Sequence, residues 1–504
     1  MPHRRARLTA STAQGQLAEA LADLRSRLQL PAEFPADALA EAAAATAVPP
    51  QLDLRDIPFA TLDPLGSRDL DQAFHLQRNG SGWRVRYAIA DVPGFVRAGR
   101  AMDAEARRRG ETLYAADGTI PLHPREISED KGSLLPGRDR PAFVWTIDLD
   151  DAGAETAHEV TRAWVRSRVQ LDYASTQADL DAGSTDTPAA LLPEIGRARL
   201  KQERLRGGAS LNLPDEEIVR DASGSYGIER RRPLPVEDWN AQLSLMTGMA
   251  AASMMLDAGI GILRTMPAAD DVALNAFRVR TVALGLPWPH GVRYGDYLRS
   301  LDREDPQTLA VLQAAASLFR GAGYVAFDGA PPPNPLQAAV AAPYAHVTAP
   351  LRRLVDRWGL VVSAAVSSGA SVPDWVRQSL PDVPGLMHTA IEKESRLASG
   401  SIDRVEAALL RDRVGERFAA WVLEVQDGRA RVQLTDPIVT VSCRAEAGVV
   451  AGDTITVVLQ GADIAGGTVR LEAETGEPTD TSDDHSSHSK PSGTAPADTP
   501  EESR

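Results

Sequence analysis

The stretch LDPLGSRDLDQAFHL, residues 62–76, places three aspartates, Asp63, Asp69 and Asp71, within nine positions of a connection between two apolar runs. The flanks, ATL at 60–62 and AFHL at 73–76, are patterned as strands, and Pro64 and Gly66 make the join irregular. Like charges crowded this closely oppose one another's ionisation unless water screens them or a cation lies among them. A solvated acidic turn and a metal-holding loop both meet that demand. If the loop holds a metal, Mg²⁺ suits it, because that ion takes hard oxygen ligands and keeps several waters. The spacing Asp-x5-Asp-x-Asp is not that of an EF-hand, which needs ligands at alternating positions, a central glycine and a terminal glutamate.

The chain around this loop reads as an α+β protein of several domains, since 504 residues exceed one small core. Residues 1–50 form a helical leader: Leu17, Leu21, Leu24 and Leu28 line one face of a helix over 12–28, and Asp37 is placed to cap an alanine-rich second helix. Residues 51–415 form the main domain. It is rich in strands to about 172, including WRVRYAIADV at 83–92 and AFVWTIDLD at 142–150. Helices are expected at 236–258, 268–284, 351–366 and 387–412, and GAPPPNP at 329–335 must be irregular. Residues 416–472 carry four or five short strands with Asp-Gly and Gly-Asp turns, the pattern of a small OB-like barrel. Residues 473–504 are Ser, Thr, Pro and acidic residues without large apolar side chains, an expected disordered tail.

Composition narrows the classes. No run approaches twenty apolar residues and no apolar core follows the basic start, so neither a membrane span nor export is expected, and cytoplasm is the default. Cys443 is the lone cysteine, which excludes an internal disulfide framework and multi-cysteine zinc sites. A net charge of −15 argues against indiscriminate nucleic-acid binding, although arginines cluster at 107–109, 230–232 and 352–353.

Four stretches, in order, resemble the ribonuclease II family. LDPLGSRDLDQA resembles its Asp-Pro-x4-Asp-x-Asp-Asp-Ala signature, and YAIADV at 87–92 the strand that follows. Residues 103–143 resemble its run of Arg-Gly-x-x-x-Tyr, Ile-Pro-x-x-Pro and Ser-Leu-x-Pro. YAHVTAPLRRLVDRW at 344–358 resembles its Thr-Ser-Pro-Ile-Arg-Arg-Tyr-x-Asp element, so the likeness spans about 51–415.

The resemblance implies a Mg²⁺-dependent 3′-to-5′ exoribonuclease that hydrolyses single-stranded RNA to nucleoside 5′-monophosphates, with Mn²⁺ a possible substitute and DNA not a substrate. By motif position Asp63, Asp69 and Asp71 would hold the metal, with Asp71 the most critical. Two such ions can activate water and stabilise the leaving oxygen of an in-line displacement. Arg352 would stabilise the phosphate, and Arg353 is a further candidate substrate contact, with a surface or core contact as its alternative. Tyr114 would stack on a terminal base, with a core tyrosine as its alternative, and Tyr173 would lie near the 3′ end.

The chain also departs from the pattern. Gln72 stands where the family has a fourth aspartate and would be a neutral ligand. Apolar residues fill WNAQLSLMTGMAAA at 239–252, where two glutamates are usual. A later helical glutamate is replaced by Ala398, leaving Asp403 or Glu406 as substitutes. About fifty residues precede the signature, too few for the family's cold-shock barrels, and the C-terminal barrel is poor in aromatics. These departures keep open a non-catalytic RNA-binding or regulatory protein, and a phosphodiesterase acting on very short oligonucleotides.

Overall fold

In the computed structural model, residues 5–7, 11–209, 215–220, 226–231, 233–302, 306–316, 318–437 and 439–474 are described. The alternating apolar runs of the first half build a six-stranded sheet. Its order is Leu52–Asp53, Glu155–Asp172, Phe59–Asp63, Gln72–Asn79, Gly82–Ala90 and Asp139–Leu149. The 18-residue strand Glu155–Asp172 also pairs along Asp139–Leu149, so the sheet closes on itself. Closure leaves no long edge to template aggregation. One face buries Phe74, Tyr87, Ile89, Phe143 and Trp145 in the largest core.

Two registers position the aspartate loop. Asp63 ends its strand and pairs in parallel with Asp172, so Tyr173 lies one step beyond Asp63's neighbour. Gln72 opens the next strand opposite Ile89, which makes 64–71 the connection between two adjacent strands.

The helix Pro235–Ala258 packs on the helix Asp356–Ser367. Residues 344–347 thread between them, and two glycines make room. A Cβ on Gly248 would lie 2.2 Å from the Tyr344 ring, and one on Gly359 2.6 Å from Val347 Cγ1. The second of these helices begins at 356, later than the pattern at 351–366 predicts. The preceding residues form tight turns, because Pro350 has no N–H and the amides of Ala349 and Leu351 bond to carboxylates of Asp356 and Asp71.

The leader helix Ser11–Arg27 lies along the long helix Val383–Leu410, burying Leu17, Leu21 and Leu24, with Leu28 buried in the turn that follows. The second leader helix is Ala36–Ala44, preceded by Pro35; Asp37 sits in its first turn rather than at its cap.

At the other end of the long helix five strands, in the order Thr440–Arg444, Arg429–Leu434, Arg417–Gln426, Thr454–Asp463 and Thr468–Ala473, wrap around Phe418, Val422, Val432, Leu434 and Leu459 as a nearly closed barrel. Ala473 belongs to its last strand, and the acidic stretch from 475 onward lies outside the described residues. Among the described residues no helix is long and apolar enough to cross a membrane.

Candidate active site

The aspartate loop is pinned from below by a distant motif. Ser133, fully buried in the Ser-Leu-x-Pro element, donates its hydroxyl to Arg68 O at 2.6 Å and accepts from Leu70 N at 3.0 Å. Leu134 N bonds to Leu70 O, Gln170 Nε2 to Ser67 O, and Ala90 N to Asp71 O. Gly66, at φ +87°, turns the chain where an L side chain would be strained. The backbone of the loop is thereby held in place.

All three carboxylates have raised proton affinity, chiefly from burial. Burial, then the charge of Asp69, pushes Asp63 up to about 7. Asp69 is raised by burial, and Asp71, 4% exposed, is raised well above the ordinary range by its burial, against the pull of Arg352. Asp63 Oδ2 is buried with no hydrogen-bond partner. A buried carboxylate oxygen without a donor is costly as an anion and has a lone pair to offer a cation.

The arginine turn faces them. Asp71 Oδ1 accepts from Leu351 N at 2.7 Å, and its Oδ2 lies 3.6 Å from Arg352 Nε. The Arg352 side chain is 44% exposed, so its remaining donors reach outward. Arg353 goes elsewhere. Its Nε and Nη2 bond to Asp356 at 2.9 and 3.0 Å; burial alone would lower its pKa, but the Asp356 carboxylate raises it. The expectation that Arg353 contacts substrate gives way to a fork-on-carboxylate pair that shapes the turn.

Gln72 is likewise engaged. Its Nε2 donates to Thr348 O at 2.6 Å and its Oε1 accepts from Tyr87 OH at 2.5 Å. The expected neutral ligand is therefore a tie between the first strand after the loop and the arginine turn, and the structure does not present it as a free oxygen donor.

Both expected tyrosines lie at the site. Tyr114 is 57% exposed, which removes the core alternative. Its hydroxyl end is nonetheless desolvated, and burial with the charge of Asp69 pushes it up to about 12. Tyr173 is raised by burial and by Asp63, and Asn240 Nδ2 donates weakly to its hydroxyl at 3.5 Å.

Sequence reasoning missed several members. In the helix where two glutamates were expected, Asn240 and Ser244, one turn apart, face the site: Asn240 reaches Tyr173, and the Ser244 and Thr348 hydroxyls lie 2.7 Å apart. Their i, i+4 spacing among apolar residues was the available signal. Neither Asp403 nor Glu406 substitutes for the glutamate missing at Ala398. Glu406 accepts from Thr440 N of the barrel, and Asp403 lies beside Gly467. One turn before Ala398, Glu394 bears on Glu111, which burial and that charge push up to about 7.

Among the described residues no three His, Cys, Asp or Glu side chains are gathered closely enough to form a protein-only metal cage. Mg²⁺ does not require one: it is commonly held by one or two carboxylates, waters and substrate phosphates. The unpartnered Asp63 oxygen and the raised proton affinity of Asp69 and Asp71 fit such a hard cation if one or two of the carboxylates bind it directly and the rest through water.

Residues 51–362 match the RNB domain model, and 416–474 match the RNase II-type exonuclease C-terminal S1 domain. The chain belongs to the RNB-domain family. It is 28% identical over 324 residues to ribonuclease R of Escherichia coli, covering 61% of this chain and 39% of that one, so it spans about two fifths of that relative's length. Its fold matches RNase R of Mycoplasma genitalium in complex with ribose-methylated single-stranded RNA, at TM-score 0.82 and 17% identity over 91% of this chain and 78% of that one. It also matches yeast Ssd1, a pseudonuclease, at TM-score 0.65 and 15% identity over 88% of this chain and 58% of that one.

Proposed function

We propose that this protein is a Mg²⁺-dependent 3′-to-5′ exoribonuclease that hydrolyses single-stranded RNA, not DNA, to nucleoside 5′-monophosphates in the cytoplasm. The observation that carries the reading is the pairing of three carboxylates of raised proton affinity, one with an orphaned oxygen, with the Arg352 guanidinium, whose Nε lies 3.6 Å from Asp71 Oδ2. Asp63, Asp69 and Asp71 would hold the cation, and Mn²⁺ would substitute. Such an ion supplies Lewis acidity at the phosphoryl group and a more acidic water. Arg352 donates to the scissile phosphate, where negative charge grows in the transition state. Leu351 N–H keeps Asp71 oriented while this happens. Tyr114 offers an exposed ring for a base, a contact that tolerates any sequence, and Tyr173 follows Asp172, the strand neighbour of Asp63.

A non-catalytic RNA-binding role is the second reading. The absence of glutamates from 239–252 favours it, and the likeness to a pseudonuclease supports it because the fold by itself does not confer chemistry. Product analysis separates the two. RNA radiolabelled at every phosphate, incubated with the protein and Mg²⁺, should yield nucleoside 5′-monophosphates on thin-layer chromatography. Nucleoside 3′-phosphates would refute the proposed chemistry, and intact RNA bound by the protein would establish the second reading.

A further inference from the structure

The hairpin that carries Tyr114 is too slight to hold its own place. Leu113–Ala115 and Gly118–Ile120 pair as Leu113↔Ile120, Tyr114↔Thr119 and Ala115↔Gly118, and no third strand extends them among the described residues. A two-stranded ribbon is marginal alone, so its position is set by what it rests on. Strand alternation sends Leu113 inward and Tyr114 outward.

Two anchors are present. At the root, Thr112 N bonds to Arg352 O at 2.9 Å and Leu354 N to Gly110 O at 2.9 Å, tying the hairpin to the arginine turn. At the tip the partner is the leader helix. Leu24 and Leu28 form one buried cluster with Leu113, Ile120 and Leu397, and Ala116 packs against the neighbouring cluster of Leu17, Ala20 and Leu21. Arg25 ion-pairs with Asp117 in the turn, whose side chain is 15% exposed.

We propose that the leader helix Ser11–Arg27 is a positioning element for Tyr114, bracing the hairpin tip against the long helix so that the exposed ring stands at a fixed distance from the aspartate loop. This rests on the reading of Tyr114 as the stacking platform for the terminal nucleotides. The apolar contacts set the hairpin's height, and the Arg25–Asp117 pair sets its rotation, since a partly buried ion pair is directional where apolar packing is not. The length at which digestion stalls is then a property of the leader as well as of the catalytic domain. A shifted ring loses its grip on short products first, because long RNA keeps its other contacts.

The test uses the full chain with Arg25→Asp, Asp117→Arg and the charge-swapped double variant, alongside Tyr114→Ala. Each is assayed on 5′-labelled single-stranded RNA for the final product ladder, and on a short oligonucleotide for KM and kcat. Hydrogen exchange of the 113–120 amides is followed in parallel. Each single charge variant should speed exchange in the hairpin, lengthen the final product and raise KM on the short oligonucleotide at least several-fold, with kcat little changed. The double variant should restore all three, a rescue that general destabilisation would not give. Unchanged exchange in the single variants would overturn the bracing. Faster exchange with an unmoved ladder, while Tyr114→Ala does move it, would overturn the coupling to product length. A ladder indifferent to Tyr114→Ala sinks the stacking reading instead, and the exchange data alone then decide whether the leader braces the hairpin.

Discussion

Asp71 and Leu351, 280 positions apart, are joined by a 2.7 Å hydrogen bond from the Leu351 amide to Asp71 Oδ1, leaving Oδ2 toward Arg352. One carboxylate thus belongs to both halves of the site. Its backbone bond fixes where the arginine turn sits relative to the aspartate loop, and its second oxygen carries the interaction with charge.

That division makes Asp71→Asn informative. The asparagine carbonyl can still accept from Leu351, so the turn should stay in place while the negative charge is lost. Turnover should fall on the order of 100-fold or more, in line with losing one preorganised electrostatic contact to a transition state. RNA affinity should change little, because phosphate contacts are spread along a bound strand. Single-turnover rates and filter binding check it, and matched losses in both would contradict it.

The adjacent arginines should separate cleanly. Arg352→Ala should lower kcat with the melting temperature nearly unmoved, since its side chain is 44% exposed. Arg353→Ala leaves the Asp356 carboxylate, 0% exposed, without its guanidinium. Breaking such a pair typically costs about 3–5 kcal/mol, so thermal denaturation should show a marked loss. The reverse ordering of the two variants would overturn these assignments.

Gln72→Asp tests the departure from the family pattern. A shorter carboxylate cannot donate to Thr348 O and would set one acceptor against another in a half-buried place. A cost of about 1–3 kcal/mol is expected for the unsatisfied groups. The Mg²⁺ concentration for half-maximal rate should not fall. A clear fall, without loss of stability, would return Gln72 to the metal shell.

The raised carboxylates predict a pH signature for the metal-free protein. Asp63 titrates near 7 in the fold against 3.8 as its ordinary value, so between pH 4 and 7 the folded chain keeps a proton that the unfolded chain has released. Stability contributed this way is full at low pH and is lost as pH rises through that window. Buried His123 and His346, both lowered by burial, act in the opposite sense below about pH 6.5, the ordinary histidine value, so the informative quantity is a difference. In EDTA, wild type should lose more melting temperature from pH 5 to 8 than Asp63→Asn does. Mg²⁺ should stabilise wild type more at pH 8 than at pH 5, because binding displaces protons. Parallel curves for the two proteins would contradict this.

What the sequence disclosed and what it hid follow from the range of the forces involved. The strands around the aspartate loop and the five-stranded barrel follow local alternation, and the helix Pro235–Ala258 follows a long run of helix-forming apolar residues after Pro235, patterns that one short window contains. The aspartates and Arg352 were legible as motif residues. The tasks of Gln72 and Arg353 were not, because each is decided by a partner that strand pairing or turn geometry supplies: Thr348 and Tyr87 for one, Asp356 for the other. The delayed start of the helix Asp356–Ser367 has the same origin, since the amides of Ala349 and Leu351 are held by the distant carboxylates of Asp356 and Asp71, which fold residues 349–355 into turns. Asn240 and Ser244 were hidden by an apolar neighbourhood that read as core alone.

The most direct measurement is a time course on 5′-labelled single-stranded RNA, resolved at single-nucleotide length, for wild type and Asp71→Asn in Mg²⁺ and in EDTA. Wild type in Mg²⁺ should shorten the RNA stepwise from its 3′ end to a short limit product. EDTA should stop it, and the variant should leave full-length RNA over the same interval. Internal fragments at early times, activity that survives EDTA, or an Asp71→Asn protein as fast as wild type would contradict the account.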